Sequence, residues 1–169
     1  ARLDKLRQHA AWIGSVLGAR LSFEAIRPDV EKHAGLGRGT TVGFADSMTK
    51  ILPRAELPDV TIVSRTQLAL ARNETESLQV IVLPMESNLE DVSVHCTQLT
   101  QPNGTPFPAD GIEVDIMGYV ETKVEPPYGS KHVGWWPDPI LPFMDRTTVF
   151  KGDAQSFWVR FRAQKSQPA

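Results

Sequence analysis

From about residue 58 onward, apolar residues tend to recur at every second position, and this alternation constrains the fold more than any other feature. In residues 112–121, Ile112, Val114 and Ile116 face one way. Glu113 and Asp115 face the other, which is the half-buried pattern of an antiparallel sheet. The pattern predicts strands over residues 60–64, 67–71, 77–83, 91–99, 112–121 and 155–162. Turn residues rather than helices separate these runs, so the sequence predicts a mostly β fold, an antiparallel, jelly-roll-like β-sandwich.

The first 36 residues carry a helical pattern instead. Apolar residues recur there at spacings of three and four, namely Leu3, Leu6, Ala10, Ile13, Leu17 and Leu21. This spacing predicts an N-terminal amphipathic helix. Pro28 suits the first turn of a second short helical piece over residues 28–33, and the glycine-rich run at residues 35–39 indicates a linker. The predicted domains are therefore an N-terminal helical segment and linker at residues 1–40 and a β-sandwich domain at residues 41–169.

The composition argues against several classes of function. The chain has 18 basic and 20 acidic residues among its 169, and a net charge of −2 does not suit a nucleic-acid-binding surface. Its apolar runs are far shorter than the roughly 20 residues that span a bilayer, so no membrane partner is expected. The one cysteine, Cys96, cannot form an internal disulfide or a cysteine-based zinc site. Because it lies in an alternating run, we expect it to be a small core residue rather than a reactive thiol.

The chain begins at Ala1 without an initiator methionine, which favours a processed protein or an excised fragment. We expect a bacterial protein that is periplasmic or secreted rather than cytoplasmic.

Residues 134–142 read Gly-Trp-Trp-Pro-Asp-Pro-Ile-Leu-Pro, a paired-tryptophan segment interrupted by prolines. Proline lacks a backbone donor and fixes φ near about −65°, so this segment is predicted to be an extended, rigid surface loop. Two indoles on a stiff loop suit a sugar ring, a partner's surface or an inward lid on the sheet. The candidates for carbohydrate binding or domain docking are Trp135, Trp136, Asp138, Tyr128 and His132.

Neither histidines nor serines indicate a catalytic centre. His9, His33, His95 and His132 do not stand at metal-ligand spacing. No serine lies in a Gly-x-Ser-x-Gly elbow, so a hydrolase triad is unsupported. The sequence therefore predicts no catalytic residue, no metal and no cofactor.

Glu74 and Glu76 are the densest carboxylate pair. If residues 72–76 are extended, these side chains share a face roughly 7 Å apart, within the about 5–10 Å that separates glycosidase carboxylates. Arg72 would share that face and lower their pKa values, which disfavours a general acid. An ion-paired turn formed by Arg72, Glu74 and Glu76 is therefore the preferred interpretation.

Four blocks of the chain, at residues 44–53, 70–79, 136–142 and 155–159, together resemble a known family. The first is similar to an "Asp-Ser-x-x-Lys-Val-x-Pro" segment, and the second to an "Ala-Arg-Asn-Glu-x-Glu-Ser-x-Gln" block, which is the most specific of the four. The third looks like an "aromatic-Pro-Asp-Pro-Leu-x-Pro" loop, and the fourth like a closing "Gln-x-x-Trp-hydrophobic" strand. This order resembles the N-terminal domain of glycoside hydrolase family 123 and its relatives, over about residues 41–163.

The resemblance implies a β-sandwich placed before a (β/α)₈ catalytic barrel of the same parent protein. Characterised members remove N-acetylgalactosamine, using the substrate's acetamido group as nucleophile and an Asp–Glu pair of the barrel to assist it. A barrel alone takes roughly 250 residues, more than this chain has, so no catalytic residue carries over. The chain alone is then not an enzyme, whereas its parent is implied to be an N-acetylgalactosaminidase-like glycoside hydrolase.

Three hypotheses follow. The leading one is a non-catalytic accessory domain that supports the barrel and contributes to carbohydrate binding, with the barrel and a glycan as partners. The alternative is a stand-alone carbohydrate- or protein-binding module. The least favoured is an autonomous glycosidase that uses Glu74 and Glu76.

Overall fold

The computed structural model describes residues 17–24, 39–53, 65–96, 99–125, 127 and 131–166. Within these residues the chain forms strands, joined by turns, and one 3₁₀ turn at Ala109–Gly111. The strands are β1 (Leu17–Glu24), β2 (Thr40–Asp46), β3 (Arg65–Ala71), β4 (Thr75–Pro84), β5 (Leu89–Val92), β6 (Ile112–Thr122), β7 (Gly134–Leu141), β8 (Thr147–Val149) and β9 (Gln155–Arg162).

Every strand pair is antiparallel. Within the described part of the chain, one sheet has the order β2-β4-β9-β6-β7, and two ribbons pair β1 with β3 and β5 with β8. The prediction of a mostly β, antiparallel fold is confirmed, and the predicted strands at β3, β4, β6 and β9 are correct within two residues. The jelly-roll-like sandwich and the division at residue 40 stay predictions.

The predicted N-terminal helix is wrong for its last part. Residues 17–24 form β1, which pairs with β3 from Leu17 opposite Ala71 to Glu24 opposite Arg65. The reason is that this segment also alternates, with apolar residues at 17, 19, 21 and 23, and cross-strand pairing favours the period of two. The rest of the helix, the helical piece at residues 28–33 and most of the glycine-rich linker lie outside the described residues.

Two other expectations change, and a third is not tested. The strand expected over residues 91–99 ends at Val92, where Asp91 has a φ of 54° and the pairing with β8 shifts its register. The proline-rich segment predicted as a loop is the strand β7, which is extended as expected but hydrogen-bonded to β6. It lies at the edge of the sheet, the position where strands accommodate proline. The strand expected over residues 60–64 lies outside the described residues.

One face of the five-stranded sheet carries most of the apolar core. Phe157, Val159 and Phe161 alternate along β9 and are each 1% exposed or less. Leu70 of β3 packs on this face beside Phe161, and Phe107 meets the Phe161 ring edge-on at 6.2 Å between centroids. The alternation that predicted a half-buried strand therefore reflects a core against which β3 and the loop before β6 pack.

A buried polar network anchors the loop after β2 to the opposite face. Gln79 of β4 is 1% exposed, and its Nε2 donates to the carbonyl oxygens of Asp46 and Thr49, both at 2.8 Å. The Oγ of Ser156 on β9 donates to its Oε1 at 2.6 Å. Ile51 of this loop is fully buried in a cluster with Ile81 and Leu83. Residues from three of the four blocks of family resemblance meet here, so these blocks share a structural task.

Candidate functional site

The paired tryptophans lie on an arm formed by the far halves of β6 and β7. Strand β6 pairs with β9 only from Ile112 to Ile116, and with β7 from Ile116 to Thr122. Beyond Ile116, the two strands therefore continue as a two-stranded arm past β9. The sequence Pro-Asp-Pro fits into this arm at a register shift between Met117 and Tyr119.

Gly118 makes the bulge possible. Two residues of β7, Asp138 and Pro139, lie opposite this one residue of β6. A Cβ at Gly118 would approach Pro139 Cγ and Leu141 Cδ1, each at 2.9 Å. Only a residue without a side chain allows Pro139 to lie this close to β6.

The two tryptophans point to opposite sides of the arm. They are adjacent on a strand, with Trp135 opposite Glu121 and Trp136 opposite Val120. Neighbouring side chains on a strand project to opposite faces. The two indoles therefore cannot stack together on one sugar ring, as the loop interpretation allowed.

Trp136 lies on the outer side of the arm with its polar atom satisfied. Its Nε1 donates to Thr122 Oγ1 at 3.1 Å, and the ring of His132 meets it edge-on with centroids 5.0 Å apart. Val120, the cross-strand neighbour of Trp136, is 47% exposed. This side of the arm therefore presents an apolar strip, which we call the outer strip: Val120 and Trp136.

Trp135 lies on the other side of the arm, in the wall of a cleft of about 230 Å³. Strand β6 supplies Tyr119 to the cleft, and the turn between β8 and β9 supplies Phe150 and Asp153. Phe150 is 53% exposed, whereas Trp135 is half-buried. We call this the Trp135 cleft.

The floor of the Trp135 cleft is rigid and already hydrogen-bonded. Tyr119 donates its hydroxyl hydrogen to the Ala154 carbonyl at 3.1 Å and accepts from the Ser156 backbone N–H at 3.0 Å. Burial, reinforced by the nearby charge of Asp153, raises the pKa of Tyr119 to about 12, although the hydrogen bond from Ser156 opposes the shift. Gln155 Nε2 donates to the carbonyls of Met117 and Ser156. Both side chains therefore serve as fixed framework.

The remaining candidates of the segment are scattered. Asp138 lies exposed on the bulge. The half-buried His132 packs on Trp136, on the side away from the Trp135 cleft. Tyr128 lies outside the described residues.

The acidic pair Glu74 and Glu76 lies at the turn that joins β3 to β4. Asn73 has a φ of 63° in this turn, and a Glu74 side-chain oxygen accepts a hydrogen bond from the Ala71 backbone N–H. Glu74 is thus committed to closing the turn between β3 and β4. Arg72 is exposed and Glu76 half-buried, and their participation in an ion-paired turn stays a prediction.

An ion-pair network joins β6 and β9 on the face of the sheet opposite the Phe157, Val159 and Phe161 core. Arg160 Nη2 lies 2.7 Å from a Glu113 oxygen and 2.8 Å from an oxygen of the buried Asp115. Half-buried Trp158 is the cross-strand neighbour of Asp115. Arg160 thus offers an opposite charge to the buried carboxylate of Asp115.

Neither a metal centre nor a reactive thiol is evident in the described residues. No three of their His, Cys, Asp and Glu side chains are placed to hold a metal ion. Cys96 is half-buried beside the core, and burial raises its pKa, which keeps the thiol protonated. In the part of the chain that the structure describes, no helix has the length and apolarity to cross a membrane.

Most of the Trp135 cleft has no signature in the sequence. Phe150 and Asp153 flank the turn glycine Gly152, whose positive φ of 80° reveals only a turn. The alternation of β6 did place Tyr119 on a strand. No pattern in the sequence could show that these residues converge on Trp135, because they come from three separate elements.

Comparison with known proteins gives a distant structural likeness. No family model and no curated protein matches the chain. Among solved structures it is similar to a family 123 glycoside hydrolase from Clostridium perfringens, which was analysed for glycolipid glycan hydrolysis. The TM-score is 0.59 at 10% identity, and the match covers 76% of this chain but 22% of that chain. At this identity the likeness shows the fold alone.

Proposed function

We propose that this chain is a non-catalytic accessory β-sandwich domain of a larger glycoside-hydrolase-like protein. It lies N-terminal to a (β/α)₈ barrel, supports that barrel and contributes to carbohydrate binding. The observation that carries the proposal is the asymmetric match, which takes in 76% of this chain and 22% of a glycoside hydrolase chain. A domain that accounts for so small a share of such a protein is an accessory part of it.

The site geometry supports a non-catalytic role. Glycoside hydrolysis needs two carboxylates with room for a sugar between them. Glu74 instead binds its own turn, and Asp115 is ion-paired with Arg160. Both carboxylates are therefore engaged in contacts within the fold.

The outer strip supports docking onto a further domain. Trp136 and Val120 form an apolar face whose strong donor, the indole N–H, is already bound to Thr122. Such a face gains free energy by leaving water and needs no new polar partner. A tryptophan with surface still exposed is also a frequent centre of protein interfaces.

The proposal is tested by comparing Trp136→Ala in two settings, the 169-residue chain and the full-length protein that contains it. If roughly 100 Å² of the indole is covered only by the further domain, its removal costs about 2.5 kcal/mol more in the longer protein. Thermal and urea unfolding of both forms give this difference. Phe143→Ala is the matched control, because Phe143 is 76% exposed and lies outside the strip.

Equal losses of stability in both settings would contradict docking through this strip. An activity assay completes the test. The 169-residue chain should not hydrolyse a panel of aryl glycosides, and hydrolysis that Glu74→Gln abolishes would make it an autonomous glycosidase.

A further inference from the structure

We infer that the Trp135 cleft is a binding subsite for one neutral pyranose unit. The inference deepens the proposed function by assigning carbohydrate contact to one place and one ligand class. It separates the two tryptophans: Trp135 contacts the sugar, whereas Trp136 serves the outer strip.

The walls of the cleft suit a sugar ring. Trp135 lines one part of it and Phe150, which is 53% exposed, lines another. The axial C–H groups of a pyranose carry partial positive charge and present an apolar face, which the negative face of an aromatic ring attracts. The volume of about 230 Å³ is below the roughly 300–1,000 Å³ of pockets for drug-sized ligands, so it suits a single ring.

The polar groups of the cleft define the charge of the ligand. Of the described residues that line it, Asp153 is the one with an acidic or basic side chain. A carboxylate offers several acceptor positions, and it accepts from sugar hydroxyls while repelling uronate or sulfate groups. Thr148, an exposed lining residue, adds a hydroxyl that both donates and accepts.

The cleft is held in shape before any ligand arrives. Its turn is fixed by backbone hydrogen bonds from Gly152 to the Pro84 carbonyl at 2.7 Å and from Ala154 to the Pro53 carbonyl at 2.8 Å. Tyr119 and Gln155 are locked below it. Binding therefore costs little ordering of the protein.

The experiment is an NMR titration of the 169-residue chain that follows the indole N–H signals. The neutral probes are methyl β-galactoside, N-acetylgalactosamine and cellobiose, and glucuronate is the anionic comparison. The Trp135 signal, assigned with Trp135→Phe, should shift with at least one neutral sugar at a Kd of about 1 mM, and the Trp136 signal should not. Phe150→Ala should weaken this binding about tenfold, whereas Phe143→Ala, at a phenylalanine that is 76% exposed and lies outside the cleft, should leave it unchanged.

The inference is overturned if no neutral probe shifts the Trp135 signal at about 20 mM, which is well above the expected Kd. It is equally overturned if glucuronate binds more tightly than the neutral sugars, or if Phe150→Ala binds as the unsubstituted chain does. None of these results bears on the docking test with Trp136→Ala, so the failure of one proposal is distinguishable from the failure of the other.

Discussion

The substitution Gln79→Leu tests the idea that one buried amide holds the loop after β2 on the sheet. Leucine has a similar size but removes the two hydrogen bonds to Asp46 and Thr49 and the one from Ser156. At about 1 kcal/mol for each hydrogen bond, the expected loss is about 3 kcal/mol. The free energy of unfolding of a domain is about 5–15 kcal/mol, so the variant should still fold.

Urea unfolding followed by circular dichroism gives the loss. Gln164→Leu is the matched control, because Gln164 is exposed and its contact with Asp110 is long, at 3.5 Å. The control should cost less than about 0.5 kcal/mol. Trypsin provides a second measurement: Lys50 is exposed on the anchored loop, and cleavage after it should be faster in Gln79→Leu.

A double-mutant cycle with Ser156→Ala sharpens the test. Ser156→Ala alone removes one hydrogen bond, at a cost of about 1 kcal/mol. In the Gln79→Leu background that bond is already absent, so the double variant should lose about 1 kcal/mol less than the sum. A Gln79→Leu chain as stable as its control, or strictly additive losses in the cycle, would refute the reasoning.

Three further predictions concern single residues. Because the pKa of Tyr119 rises on folding from its ordinary value of 10.0 to about 12, its contribution to stability is complete below pH 10 and is lost as the pH rises towards 12. Urea midpoints measured across this range should fall less steeply in Tyr119→Phe, and identical slopes would contradict the assignment. Gly118→Ala should cost about 1–3 kcal/mol by forcing Pro139 away from β6, whereas an unchanged urea midpoint would show that the bulge adapts freely. Since burial raises the pKa of Cys96, iodoacetamide should alkylate it several-fold more slowly in the native chain than in urea, and equal rates would exclude a protected thiol.

The sequence pattern predicted the strands whose two faces differ in burial. In β9, the buried Phe157, Val159 and Phe161 alternate with the less buried Trp158, Arg160 and Arg162, and the predicted bounds match the structure. β1 was misassigned because Leu17 and Leu21 fit both a helical period and an alternating one. The choice between helix and strand depends on pairing with β3, which lies more than 40 residues further along the chain.

Much less of the site was accessible from sequence. The sequence identifies the two tryptophans, but it predicts their segment to be a loop. In a strand, neighbouring side chains project to opposite faces, and this geometry separates Trp135 from Trp136. Phe150 and Asp153 gave no signal, because a cleft wall in a turn has no periodicity. Their convergence with Trp135 depends on how the turn before β9 lies against the arm.

The two borders of the five-stranded sheet are chemically unequal. Pro137 and Pro139 leave gaps in the row of N–H groups along β7, and the kink between them bends that border. Another chain therefore cannot form a continuous row of hydrogen bonds with β7, as fibril-like growth would require. This holds even though the segment is rich in aromatic and aliphatic side chains. Any lateral extension of this sheet must begin from the β2 border, where Thr40–Asp46 contains no proline.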